Sequence, residues 1–184
     1  MLGLRVRIRR ACRRWHSHAE GRVRDAEVVG GSVHARETMK KLTVKRAIQI
    51  QATAAEVWEF IVSPSAMKRW MLVEPVVDES VPLALGSRVV WADDTGKPYL
   101  TGTVTMFVPG KRLVLDLSDV SWRRQAKAGE VTYALALEEA KNGTKVTFSL
   151  GDLSIDPEAQ MWYDAYAKSR ELEAIKEMAE NPRR

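Results

Sequence analysis

Apolar and polar residues alternate over 42–51, where Leu42, Val44, Ile48 and Ile50 stand against Lys45, Gln49 and Gln51. A period of two predicts an amphipathic strand. The pattern then changes. Thr53-Ala54-Ala55-Glu56 has the spacing of a capping box, in which the Thr53 hydroxyl and the Glu56 carboxylate each satisfy a backbone N–H of the other. Val57, Trp58, Phe60 and Ile61 follow as a short helix. Ser63-Pro64 ends it and starts a second one carrying Met67 and Trp70, since serine caps and proline suits the first helical position.

From about residue 74 to 151 the period returns to two. Six strands are expected there: 74–81, a weak one ended by Pro82, then 88–92, 99–108, 112–118, 130–139 and 144–150. Asp93-Asp94-Thr95-Gly96, Pro109-Gly110 and Asn142-Gly143 supply turns, the last a strong hairpin signal. Strands joined by hairpins make an antiparallel sheet with one wet and one buried face. A polar, basic loop over 119–128 carries Trp122. Residues 156–180 then read as one long helix, about 35 Å at 1.5 Å per residue. Asp156 is its expected N-cap, Pro157 its first residue, and Asn181-Pro182 its stop. Met161, Ala165, Ser169, Leu172, Ile175 and Ala179 form an apolar stripe, widened by Trp162 and Tyr166; Lys168, Arg170, Glu171, Lys176 and Glu177 are expected on other faces. Such a helix needs a broad surface to lie on, and the sheet offers one.

Charge divides the chain. Residues 1–38 hold nine Lys/Arg and four Asp/Glu, whereas the remainder holds twenty of each, so the formal net charge of +5 belongs to the leading segment. That segment reads as a basic, mostly disordered tail, and ordered patterning starts near Met39. The expected domain is 39–184. Without net positive charge it has no field to attract nucleic acid. No stretch approaches the roughly 20 apolar residues of a membrane span. The single cysteine, Cys12, leaves no intrachain disulfide and suits a reducing, cytoplasmic setting. His16, His18 and His34 also precede the domain, which therefore lacks a histidine base, a cysteine nucleophile and a His/Cys zinc site. No glycine-rich phosphate loop opens a helix. Asp93-Asp94 and Glu138-Glu139 fall at a turn and a strand end, both solvated positions. No catalytic residue, metal or cofactor is assigned.

The order of strand, two short helices, antiparallel strands and long helix resembles the α+β helix-grip fold of the START/SRPBCC superfamily. "VKRAIQIQATAAEVWEFIVSPSAMKRWM" is similar to that superfamily's opening, through Val57-Trp58, Ser63-Pro64 and Trp70. "LTGTVTMFVPGKRLVL" resembles its Gly-x-Val strand and Pro turn, and "YALALEEAKNGTKVTFSL" its last hairpin. The resemblance covers about 41–180 and points to the polyketide cyclase/dehydratase-like group and to homologues of the activator of heat-shock-protein-ninety ATPase. After Trp70 the run Met71-Leu72-Val73-Glu74-Pro75 lacks the acidic, Gly-rich stretch usual in the activator branch.

The superfamily implies an apolar cavity between sheet and helix that holds a lipid, polyketide or similar ligand. Trp91, Val104, Met106, Leu115, Tyr133, Leu135, Phe148, Trp162 and Tyr166 are expected on its surface, with Tyr133, Tyr166 and Ser169 able to orient a ligand oxygen. Taken singly, each of these reads as core; only their joint placement argues for a pocket. Trp58 and Trp70 read as wedges holding the short helices on the sheet. Trp122 reads as a pocket gate, a partner contact or an incidental surface residue. The expected function is binding of a small hydrophobic ligand, as carrier or sensor rather than enzyme. A polyketide cyclase or dehydratase is the alternative, favoured by a buried Asp or Arg facing Tyr133 or Tyr166. A protein-interaction module is the third, favoured by a filled core and an apolar patch exposed near Trp122.

Overall fold

The computed structural model describes residues 41–182. The basic segment 1–38 lies outside the described residues.

Strand β1 (Val44–Ile50) leads into helix α1 (Ala54–Val62). The capping box forms as the sequence requires: Glu56 N–H donates to Thr53 Oγ1 at 3.3 Å and Thr53 N–H to Glu56 Oε2 at 2.8 Å. Ser63 closes α1 with its N–H on the Glu59 carbonyl, and Pro64 opens α2 (Pro64–Trp70). Ser63 does not cap α2 with its side chain; its hydroxyl instead meets that of Ser65. Trp70 Nε1 donates to the Phe60 carbonyl at 3.0 Å and fixes α2 against α1.

Five strands follow: β2 (Arg88–Ala92), β3 (Pro98–Val108), β4 (Arg112–Asp119), β5 (Thr132–Ala140) and β6 (Gly143–Gly151). Every neighbouring pair is antiparallel, in the order β1-β6-β5-β4-β3-β2. The expected strand at 74–81 is absent, leaving one bridge between Val76 and Val90. Pro75 and Pro82 remove ladder donors at its ends. Between them the Asp78 carboxylate accepts from Ser80 N and Oγ, turning the chain locally.

Alternation also fails inside β3. Val104 pairs with Leu115 but Met106 pairs with Val114, so a bulge at Thr105 reverses the faces beyond it. Met106 is consequently 41% exposed, and Phe107 turns inward, edge-on to Trp58 at 5.3 Å. Gly143 has φ +117° beside the Ile50 carbonyl, a place with no room for a side chain, so the Asn142-Gly143 turn is specified sterically as well as conformationally.

The C-terminal helical segment lies over β1 and packs on α1 and α2, completing the helix-grip architecture. It departs from a single uninterrupted helix in two respects. After a 3-10 turn (Leu153–Ile155), α3 starts at Ala159, because Asp156 accepts from Glu158 N–H at 2.6 Å in a local turn instead of capping a helix at Pro157. The segment then breaks between α3 (Ala159–Ala167) and α4 (Glu171–Glu180). At the break Arg46 of β1 donates to the Ser169 carbonyl, which an unbroken helix would use for its own ladder, and to Ser169 Oγ at 3.2 Å.

Candidate functional site

The inner face of the sheet meets the C-terminal segment through aromatic rings. Tyr133 of β5 lies edge-on to Phe148 of β6, with centroids 4.9 Å apart. Tyr166 of α3 closes on both, at 6.3 Å and 6.2 Å. Trp70 approaches Tyr133 from α2 at 6.4 Å, and Trp162 extends the cluster at 6.2 Å from Tyr166. These separations fall in the range where aromatic pairs attract beyond simple burial.

A carboxylate sits inside this shell. Glu171, the first residue of α4, is 2% exposed. Its Oε1 accepts from the Tyr133 hydroxyl at 3.0 Å and from Leu72 N–H at 2.8 Å, and its Oε2 from Ser169 Oγ at 3.3 Å. Burial penalises the charged form and pushes the carboxyl up to about 7, against the pull of these donors and of the Arg46 charge. Burial likewise raises the Tyr133 hydroxyl well above its ordinary value, and the Glu171 charge adds to the effect. Arg46 links the cluster outward: it bonds Ser169 and, through Nη2, Glu173 Oε1 at 2.7 Å. One hydrogen-bonded path thus runs from an interior tyrosine to the half-buried edge of β1.

Of the ten residues the sequence nominates, Tyr133, Phe148, Tyr166 and Trp162 join the aromatic cluster, and Ser169 joins Glu171. Leu135 is buried beside Phe148, its partner across the strands. Trp91, Val104 and Leu115 are buried nearer the β2 edge, where the Trp91 and Leu115 side chains close over Gly102 and Trp91 Nε1 donates to the Val73 carbonyl. Met106 leaves the inner surface for the reason given above. Trp58 and Trp70 are buried wedges. Trp122 is half-buried, and its Nε1 donates to Asp156 Oδ2 at 2.9 Å, pinning the 119–128 loop to the start of the C-terminal segment.

Glu171 was expected on a solvent face, and Arg46 and the Leu72 amide drew no expectation. The signal for Glu171 was present: it shares an i, i+4, i+7 row with Ile175 and Met178, both buried. No cluster of metal-ligating side chains occurs among the described residues, and none of their helices is long and apolar enough to cross a membrane.

Comparison with known proteins follows this architecture. The Aha1 dimer structure from Colwellia psychrerythraea superposes with a TM-score of 0.54 at 16% identity, covering 77% of this chain and 98% of that one. ChR145 from Cytophaga hutchinsonii gives 0.56 at 24% identity, covering 77% and 96%. DynU16, from the dynemicin biosynthetic locus, gives 0.57 at 15% identity, covering 78% of this chain and 49% of that one. At such identities the likeness concerns the fold. No curated protein sequence matches significantly. The family model for activator of Hsp90 ATPase homolog 1-like proteins matches residues 51–180. By that match over most of its length, the chain belongs to the activator of Hsp90 ATPase homolog 1-like family, within the helix-grip fold.

Proposed function

We propose that this chain binds a small hydrophobic ligand, a lipid, polyketide or similar molecule, between the sheet and the C-terminal segment. The observation that carries the reading is the Glu171 carboxylate inside an aromatic shell. A core needs no ionisable group there, and burying one costs several kcal/mol even when it is hydrogen-bonded, on the order of the whole stability of a domain. Ionised, it accepts from a ligand hydroxyl, and protonated, it donates to a ligand carbonyl, while the rings supply apolar area, worth about 25 cal/mol per Å² buried. Tyr133, Phe148 and Tyr166 touch one another in this conformation, so a ligand enters by displacing Tyr166 and Trp162. Both ride on α3, which the break at 168–170 frees from the direction of α4.

The cyclase-type alternative has its own support. The charged group facing Tyr133 is a glutamate, where a buried Asp or Arg would favour this reading, and it is held near the pH at which a general base works best. In that reading Glu171 takes the proton next to a ligand carbonyl and Tyr133 stabilises the enolate oxygen. The interaction-module reading draws on the packed rings of Tyr133, Phe148 and Tyr166, which fill the interior, and on Val120, 74% exposed near Trp122. A single exposed valine is ordinary surface, however, and Trp122 itself is turned onto Asp156.

Native mass spectrometry of protein purified from its own host tests the proposal, with solvent extraction of whatever dissociates. A stoichiometric apolar adduct that is lost in Tyr166→Trp supports it, and a conjugated or cyclised adduct favours the enzyme. An apo mass that remains apo after incubation with the host's lipid extract overturns it.

A further inference from the structure

A second site lies beside the interior one, where α4 meets α1 and α2. α4, α1 and α2 leave a cleft of about 360 Å³ lined by Phe60, Arg69, Ala174, Glu177, Met178, Asn181 and Pro182. Its volume falls in the range of small-molecule sites. The apolar part comes from one residue of α1 and two of α4, and the bond from Trp70 Nε1 to the Phe60 carbonyl fixes the α1–α2 wall. The charges around it are unequal in their commitments. Glu177 is already paired with Arg170 Nη2 at 2.6 Å. Nearby Lys68 is held by Glu79 and Lys176 by Glu180. Arg69, by contrast, has no carboxylate partner among the described residues, although it lines the cleft. Asn181 spends one amide hydrogen on the Glu177 carbonyl, at 3.4 Å, and keeps the other.

The geometry points to a binding site in this cleft for a small organic carboxylate with an aromatic or branched apolar body. The body covers Phe60 and Met178, and the carboxylate takes the planar fork of Arg69, with the Asn181 amide as a second donor. An unpaired guanidinium beside an apolar floor selects an anion: it offers two parallel donors in the spacing of a carboxylate, which a neutral group of the same shape cannot fill. None of its lining residues bonds Glu171 or joins the aromatic rings, although Met178 shares a row with Glu171 and Trp70 ties the Phe60 carbonyl to the cluster.

Titration of the whole chain with phenylbutyrate, followed by amide and methyl NMR, tests the inference, with phenylbutanol as the neutral analogue. Saturable shifts confined to Phe60, Arg69, Ala174, Met178 and Asn181 are expected, with phenylbutanol at least about tenfold weaker. Arg69→Gln, at an exposed position that leaves the fold intact, brings phenylbutyrate down to the level of phenylbutanol. Arg69→Lys retains part of the difference, because it keeps the charge and loses the fork. Equal binding of the two probes, unchanged binding by Arg69→Gln, shifts centred on Tyr133 and Tyr166, or no saturable shift in the millimolar range each overturns it. Failure here leaves the interior site untouched, because the adduct experiment reads Tyr166 and this one reads Arg69.

Discussion

The Tyr133 hydroxyl donates to Glu171 Oε1 at 3.0 Å, and each of the two residues is only 2% exposed. The pair makes stability depend on pH in an unusual direction. Glu171 ionises at about 7 in the fold against 4.5 ordinarily, so between those values the folded protein keeps a proton that the unfolded chain has released. This group's contribution is therefore greatest at acid pH, falls as pH rises from about 4.5 to about 7, and is lost above that. The difference is worth roughly 3 kcal/mol. Residues 41–182 contain no histidine, so few of their groups titrate in the same window. Glu171→Gln keeps an acceptor and cannot ionise. Urea unfolding should find it close to the wild type at pH about 4.5 and more stable, by up to that roughly 3 kcal/mol, above neutrality. A constant difference between the two proteins across the window would sink this account.

Tyr133→Phe removes a donor to the charged carboxylate without opening a cavity. Stability should fall by about 1 kcal/mol in acid, where the carboxyl is neutral, and by about 1.5–3 kcal/mol above neutrality, where it is charged. Because the tyrosine bond favours the ionised form, the Glu171 carboxyl should also titrate higher than in the wild type, as read by carbon NMR of the side-chain carboxyl. Ser169→Ala, which removes the longer 3.3 Å bond, should move it less. An unmoved titration in Tyr133→Phe would mean that burial, the Leu72 amide, Ser169 and Arg46 set the charge balance without the tyrosine.

The five strands from 88 to 151 and both short helices were legible because they rest on local periodicity and caps. Thr53 and Glu56 state their own geometry, and Leu113, Leu115 and Leu117 alternate without interruption. What was not legible depends on groups distant in sequence. Thr105 looks like any strand threonine, yet the bulge there sends Met106 out and Phe107 in. Nothing local to Ser169 breaks a helix; Arg46, 123 residues earlier, takes its carbonyl. Glu171 reads as surface by residue type, and only its row with Ile175 and Met178 argues otherwise.

Trp122 and Asp156 make a similar long-range tie, at 2.9 Å across 34 residues. Burial raises the Asp156 carboxyl, and its bonds from Glu158 N–H and the indole lower it. Trp122→Phe keeps an aromatic ring, smaller than the indole, and loses the donor, so Asp156 should titrate higher still. The loss of a bond to a charged group should cost about 1.5–3 kcal/mol at neutral pH and less once Asp156 is protonated. Thermal melts at both pH values check this. An equal loss at both would assign the effect to ring packing.

Gly102 offers a case where local preference and packing give opposite signs. Glycine weakens a strand, so propensity alone favours alanine or valine at this position in β3. A Cβ there, however, would stand 2.9 Å from Leu115 Cδ2, 3.2 Å from Leu117 Cδ2 and 3.3 Å from Trp91 Cζ3. All three side chains are buried, and the Trp91 indole is anchored on the Val73 carbonyl at 3.0 Å. Leucine methyls yield by rotation more readily than an anchored indole does. Gly102→Ala should therefore be mildly destabilising, whereas Gly102→Val should cost about 1–3 kcal/mol through overpacking. The Trp91 indole N–H resonance should shift in the valine variant as its bond to Val73 is strained. A valine variant as stable as the wild type, with that resonance unmoved, would show that strand propensity governs the position and that the ring has room to spare.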